Sequence, residues 1–460
     1  MFEIQGKYTT AKVFAEDVES SCISQIQAIT NHCAFTNPIS IMPDTHTGKG
    51  SVIGFTMEMT DKICPNVIGV DIGCGMLSMG YGEKNIYHKQ SFEALDRAIR
   101  VHIPFGTNVH RECVINMEKT IKWSEITNFN LEDNFYSLEW FKDKCQQIGI
   151  SYARAINSIG TLGGGNHFIE IGKSNLSGQY FITVHSGSRN FGKCICDYWQ
   201  KKAADNQKEL TGLDYQMKIV EIRKTTKNRA DIPKRIQELR ENLGIYNCPS
   251  GLEYLSGEDR DAYLNDMVFA QHYASWNRET MLFLIGNILK MEPEITIESV
   301  HNYIDPRDKI IRKGAIRSYS EELSIIPFNM RDGLLICKGK SDPEWNYSAP
   351  HGAGRVMSRS EAKGKIDLEV FKKQMKNIYS TSVCTGTLDE APGAYKNSDI
   401  IEILMEPTVE IIDKIVPVHN LKALGGNYDY RRIKKLKKSI KKQRRKEAIR
   451  KWMSLETDIN

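Results

Sequence analysis

The chain has 460 residues, 40% hydrophobic and 26% charged, enough apolar material for one large domain or about two to three ordinary ones. No run approaches the roughly 18 apolar residues of a membrane span, and the first five residues have neither the basic nor the apolar stretch of a secretory leader, so the expected compartment is the cytoplasm. The formal charge of +5 is unevenly held: residues 431–451 carry 13 Lys/Arg against the single acid Glu447, and residues 1–430 alone carry a net −5.

In chain order, Ile39-Ser-Ile-Met42 is an apolar run ending at Pro43, followed by Asp44-Thr-His46-Thr-Gly48-Lys49-Gly50, and Val52-Ile-Gly-Phe55 resumes as a strand. Residues 67–70 read as another short buried strand, feeding the loop Asp71-Ile-Gly73-Cys74-Gly75. Glycine on both sides of a cysteine weakens helix and strand alike, so this loop brings a carboxylate and a thiol close together. Residues 91–101 and 138–158 have helical spacing. Gly163-Gly-Gly165 forces an irregular loop before the strand at 168–171, and the buried strand at 180–184 runs into His185-Ser-Gly-Ser-Arg189.

Residues 199–244 are highly charged and nearly free of glycine, which predicts two exposed helices broken near Asp231-Ile-Pro233. Residues 260–291 form a further helix with Tyr263, Met267, Ala270 and Ala274 on one face. Strands and short glycine-rich loops return from His301 to Asp332, and 350–360 is a loop entering a helix. Residues 431–451 predict a basic helix with Ile433, Leu436 and Ile440 on one side. No repeat and no Pro- or Ser-rich linker divides the chain. The expectation is an α/β (mixed α+β) chain: one large domain over 1–430 with mixed β-sheets flanked by helices, the helical insertion 199–244 within it, and a basic helical extension over 431–460.

The 11 cysteines are scattered without a C-x-x-C pair, which suits reduced thiols. Cys194 and Cys196 lack a second pair nearby and are read as structural. Histidine is sparse, yet His167 and His351 stand beside glycine-rich sequence, His185 ends an apolar run, and His301 closes another. A single histidine is more often a core or surface residue than a ligand. Four of them, with Asp71 and Cys74, make a donor set large enough for two metal ions if one ligand bridges. Thiolate and imidazole favour zinc by ligand type, while the mixed set also admits manganese or iron. Arginines recur beside these histidines: Arg189 after His185-Ser-Gly-Ser, and Arg355 and Arg359 after His351-Gly-Ala-Gly. The last two share one face if the segment is helical. Arginine forks suit phosphate, and metals with arginines describe phosphoryl or nucleotidyl transfer. No P-loop is present.

Met42-Pro-Asp44-Thr-His46-Thr-Gly48-Lys-Gly50, Gly69-Val-Asp71-Ile-Gly-Cys74-Gly-Met76, Leu162-Gly-Gly-Gly-Asn166-His167-Phe-Ile-Glu170, His185-Ser-Gly-Ser-Arg189, His301-Asn-Tyr303, Arg312-Lys-Gly-Ala315, His351-Gly-Ala-Gly-Arg355-Val-Met-Ser-Arg359 and Ala394-Tyr395-Lys396 together resemble the RtcB-type RNA ligases in order and spacing. The resemblance runs from about residue 40 to residue 425. It implies a GTP-dependent ligase using two Mn(2+) ions, which joins an RNA 3′-phosphate or 2′,3′-cyclic phosphate to a 5′-hydroxyl in tRNA splicing or RNA repair. By position, Cys74 is the bridging thiolate, Asp71 and His167 complete one metal site, and His185 and His301 the other. His351 is the nucleophile that takes GMP. Asn166, Glu170, Tyr395 and Lys422 hold the guanylate, and Arg189, Arg355 and Arg359 hold RNA phosphates.

This chain departs from the family pattern in places. Pro327-Phe328-Asn329-Met330 stands where the family reads Pro-Gly-Ser-Met, so Asn329 is expected at the nucleotide in place of serine, with Phe328 reshaping the loop. Pro350 restricts the backbone before His351. Family chains end just after a terminal lysine-glycine, whereas 34 residues follow Gly426 here. The basic tail favours RNA contact. The competing readings are a dinuclear metal phosphoesterase that acts on RNA ends without joining them, and an RNA-binding protein with an inactive site. The motifs name no particular RNA and no activating protein partner.

Overall fold

The computed structural model describes residues 1–424 apart from 83–85, 88–90, 127, 130–134, 244 and 246–247, so the basic helix expected over 431–451 lies outside the described residues. Seven strands assemble into the larger sheet: β1 (Gly75–Gly80), β2 (Phe168–Ser174), β3 (Tyr180–Ser186), β4 (Ile295–Val300), β5 (Leu323–Asn329), β6 (Gly333–Gly339) and β7 (Val409–Lys422). Their order is β4-β1-β3-β2-β7-β6-β5, and every neighbouring pair is antiparallel.

A six-stranded sheet orders Phe2–Gln5, Thr10–Val13, Ile39–His46, Ile53–Glu58, Ile310–Lys313 and Asn302–Ile304. His301 is the single residue between β4 and Asn302–Ile304, so the chain crosses from one sheet to the other at that histidine. Two apolar clusters support this arrangement. One packs Phe55 and Ile311 of the six-stranded sheet against Phe191, Phe269 and Tyr273 of two long helices. The other packs Leu77, Ile169, Ile182 and Leu421 of the larger sheet against Leu95, Ile99, Met281 and Ile285. Each such burial contributes about 1.5–3 kcal/mol.

The helix Gly257–Leu289 buries Tyr263, Met267, Ala270 and Ala274 as their spacing predicts. One turn further on, Arg278 is wholly buried. Its Nη1 donates to the carbonyls of Gly73 (2.7 Å) and Ser186 (2.9 Å), and its Nη2 to Glu298 on β4 (2.7 Å). One guanidinium thus ties together the ends of three adjacent strands, using the several donors of its planar fork.

Four local expectations change. Residues 67–70 are not a strand: Pro65–Ile68 is a short helix, with proline at a first position that needs no N–H, and Gly69 at φ 109° ends it. Residues 138–158 split into Leu138–Gln147 and Tyr152–Asn157 around Gly149. The charged region breaks before Ile232 as expected, with Pro233 fitting the first turn of the helix that follows, but it holds three helices rather than two, Arg189–Leu210, Leu213–Thr225 and Ile232–Asn242, because a further break falls at Thr211-Gly212. The helix after His351 begins only at Arg359, so Arg355 is not on it. Among the described residues no helix is long and apolar enough to cross a membrane.

Candidate active site

Antiparallel order puts the end of one strand beside the start of the next. Val300 pairs with Gly75, Met76 with His185, His185 with Phe168, and Phe168 with Lys422. Hence His301 just after β4, Cys74 just before β1, His185 near the end of β3, His167 just before β2 and Lys422 at the end of β7 all stand along one edge of the larger sheet.

There the donor atoms converge. Cys74 Sγ lies 3.5 Å from His167 Nε2 and 3.3 Å from His185 Nε2. His167 Nε2 is 2.9 Å from Asp71 Oδ2, and His185 Nε2 is 3.3 Å from His301 Nε2. Among the described residues two triads have donor atoms within 4.8 Å of one another, Asp71-Cys74-His167 and Cys74-His185-His301, and Cys74 belongs to both. The chemistry of these contacts fits cations. The Nδ1 of His167 is committed to the Leu162 carbonyl at 2.9 Å, so in the neutral ring its Nε2 lone pair faces a carboxylate. That opposes two acceptors, which a metal ion reconciles. Burial, reinforced by neighbouring cationic groups, holds His185 and His301 well below the usual imidazole range. They are therefore neutral, as ligation requires. Burial and the charge of Asp71 push the Cys74 thiol well above its usual range, so its ionisation calls for a cation at the sulfur.

His351 follows the strand Ser348–Pro350, which pairs with Ala315–Arg317. Its Nδ1 donates to Oδ2 of the fully buried Asp44 at 2.7 Å, and its backbone N–H reaches the same oxygen at 3.2 Å. In the neutral ring this hydrogen bond places the proton on Nδ1 and the lone pair on Nε2. The ring centroid is 4.9 Å from that of His301. Gly354, at φ 71°, lets the loop pass Asp44 closely: a Cβ there would come within 2.1 Å of the Asp44 carbonyl oxygen.

His351 opens onto a cavity of about 690 Å³ lined also by Asn166, Glu170, Phe328, Asn329, Tyr395 and Lys422. Burial raises the Glu170 carboxyl to about 8. Its Oε2 accepts from Asn420 Nδ2 at 2.8 Å, while Oε1 finds no hydrogen-bond partner among the described residues. Asn329 lines the cavity, but its amide is engaged in the turn between β5 and β6. Nδ2 donates to Asp332 at 2.7 Å, and Oδ1 accepts the backbone N–H groups of Arg331 and Asp332. Phe328 is buried in one apolar cluster with Ile316 and Ala353.

Glu390 is the hub of the opposite wall. Its carboxylate accepts from Lys422 Nζ at 2.6 Å and Tyr395 OH at 2.8 Å, pairs with Arg359, and lies 3.6 Å from Arg355 Nη1. Burial opposes its charge, but Lys422 and Arg359 outweigh it and hold the carboxyl at about 2. Arg355 and Arg359 therefore meet at one carboxylate without sharing a helix face.

Arg189 lines a second cavity of about 890 Å³ with Asp71, His167, Lys193 and Lys363. Its own fork is anchored on Thr161 Oγ1 and the Gly106 carbonyl, each at 3.1 Å. Asn166, Arg359 and Glu390 border both cavities. The sequence reading missed Asp44, Glu390, Asn420 and Arg278 as site residues. Asp44 carried a signal, since it lies inside the run from Met42 to Gly50; the other three are ordinary in local sequence.

The chain matches the sequence model of the family described as tRNA-splicing ligase RtcB over residues 25–423. It is 29% identical over 405 residues to the RNA-splicing ligase RtcB of Escherichia coli (strain K12), covering 81% of this chain and 87% of that protein. It is 24% identical over 486 residues to the tRNA-splicing ligase RtcB of Nanoarchaeum equitans, covering 90% and 94%. To the tRNA-splicing ligase RtcB of Archaeoglobus fulgidus it is 26% identical over 423 residues, covering 78% and 82%.

Proposed function

The chain belongs to the RtcB family of tRNA-splicing ligases, and from that premise we propose that it is an RNA ligase, dependent on GTP and Mn(2+), which joins a 3′-phosphate or 2′,3′-cyclic phosphate end to a 5′-hydroxyl end. The observation that supports this most is the pair of donor triads sharing Cys74 beside a histidine whose Nδ1 proton is held by a buried aspartate.

Asp71, Cys74 and His167 would hold one ion, and Cys74, His185 and His301 the other; bound there, divalent cations offset phosphate charge as pyrophosphate departs. His351 Nε2 attacks the α-phosphorus of GTP, the Nε2–P bond forms, and the bond to pyrophosphate breaks. The Nδ1 proton stays on Asp44's side of the ring throughout. Asn166, Glu170, Tyr395 and Lys422 hold the guanylate, while Asn329 shapes the cavity through its turn. An oxygen of the RNA 3′-phosphate, generated by water opening the ring where the end is a 2′,3′-cyclic phosphate, then attacks the GMP phosphorus as the Nε2–P bond breaks; the 5′-hydroxyl attacks the activated 3′-phosphorus, its proton passes to solvent, and GMP leaves. Arg189 holds phosphate from the second cavity, and Arg355 and Arg359 from the border of the two. Residues 1–430 form the catalytic unit, with 199–244 inside it, and the basic segment 431–460 adds RNA contact by charge.

Incubation with Mn(2+) and α-labelled GTP tests the reading: acid-labile, base-stable label is expected on His351. An unlabelled wild-type chain sinks it, as does label that survives His351→Ala. A phosphoesterase on the same metal site would trim RNA ends without taking label. The Asp44–His351 pair, 307 residues apart in sequence, favours the nucleophile.

A further inference from the structure

The strand Ile39–His46 breaks its ladder where it carries Asp44. Its partner strand pairs Phe55 with Ile41 and then Ile53 with His46, so residues 42–45 face Gly54 alone. Such a bulge bends the strand and re-aims a side chain. It also takes carbonyl groups out of the ladder, and Pro43, Asp44 and Thr45 are all buried. A buried carbonyl without a donor is costly.

Lys396 supplies the missing donors. Its Nζ donates to the Pro43 carbonyl at 3.0 Å and the Thr45 carbonyl at 2.9 Å. Its backbone N–H donates to the Gly354 carbonyl at 3.1 Å, in the loop that follows His351. Between those two carbonyls, the Asp44 side chain reaches the Nδ1 and backbone N–H of His351. One lysine thus fastens the bulge that carries Asp44 to the loop that carries His351, without touching His351 itself.

We propose that Lys396 is a positioning residue for transfer of GMP to His351: by holding the carbonyls on either side of Asp44, it keeps the His351 proton on Nδ1 and the Nε2 lone pair toward the cavity. The kinetic consequence rests on the proposed ligase reading; the effect on the His351 tautomer does not.

The test uses the full chain with Lys396→Met, which keeps the side-chain length and removes the donors, and Lys396→Arg, which restores them. Nitrogen-15 NMR of the histidines, with His351 assigned by His351→Gln, is expected to show a proton on Nδ1 in the wild type and its redistribution in Lys396→Met. The rate of His351 labelling from GTP is expected to fall about 100-fold in Lys396→Met, with KM for GTP within about twofold, and to recover at least about tenfold of that loss in Lys396→Arg. If Lys396→Met does not fold, Lys396→Gln, an uncharged donor, is read the same way and is expected to show a loss between onefold and about 100-fold, with a partial redistribution of the His351 proton. An unchanged tautomer in the neutral variants overturns the proposal, as does a loss confined to KM. If the wild-type chain takes no GMP, the ligase reading fails, and the tautomer alone decides the role of Lys396.

Discussion

Cys74 Sγ stands 3.3 Å from His185 Nε2, and the same sulfur closes the second triad with Asp71 and His167. One side chain therefore serves two prospective metal positions, whereas Asp71 serves one. Cys74→Ala is expected to lose both bound Mn(2+) equivalents after dialysis and Asp71→Ala only one, read by elemental analysis per chain. Labelling of His351 should fail in Cys74→Ala although His351 is intact; normal labelling would refute the shared role.

Asp44 accepts the Nδ1 proton of His351, and an amide in its place can donate instead. Asp44→Asn would then push the ring toward the tautomer with its proton on Nε2. Single-turnover labelling is expected to slow by at least about 100-fold. GTP binding, followed by equilibrium titration, should change little. Equal rates in variant and wild type would remove Asp44 from the account.

Glu390 offsets the buried charge of Lys422. Glu390→Gln leaves that ammonium without its carboxylate, which is expected to destabilise the chain by about 3–5 kcal/mol in chemical denaturation. The carboxyl is held at about 2, below its unfolded value. Its contribution to stability is therefore present above the ordinary carboxylate range and lost as pH falls toward about 2. Acid unfolding of Glu390→Gln should accordingly be less steep than that of wild type.

Glu170 has the opposite sign. Burial raises its carboxyl to about 8, so between the ordinary carboxylate range and pH 8 the folded chain binds more protons than the unfolded one. Stability falls as pH rises through that window. Glu170→Gln mimics the neutral form and should flatten the decline of Tm between pH 5 and 8. Parallel Tm profiles would show that Glu170 is ionised in the folded chain.

The terminal segment 431–451 carries 13 Lys/Arg and one acid. Removing 431–460 is expected to lower the slope of log affinity for single-stranded RNA against log salt, because fewer counterions are released. An unchanged slope would exclude the tail from RNA contact.

The metal-type residues were legible because each sits in a local pattern of glycine, histidine and small residues that ordinary strands and helices do not need. The strands at 168–171 and 180–184 and the face of the long helix were legible from periodicity. The helix Pro65–Ile68 was not, since four residues give no period and tertiary packing decides their state. The shared helix face for Arg355 and Arg359 failed for a related reason: the segment after His351 is held by a bridge between Arg355 and Tyr395, not by helical hydrogen bonds.

The sequence by itself determined the donor types, their order along the chain and the family they belong to, because those are carried by short contiguous motifs. Only the tertiary structure decided that Asp44 holds His351, that Glu390 gathers Lys422, Tyr395 and Arg359, and that Arg278 ties three strands together. These contacts join segments up to 307 residues apart. Their partners are chosen by strand register and sheet order, which no local spacing encodes.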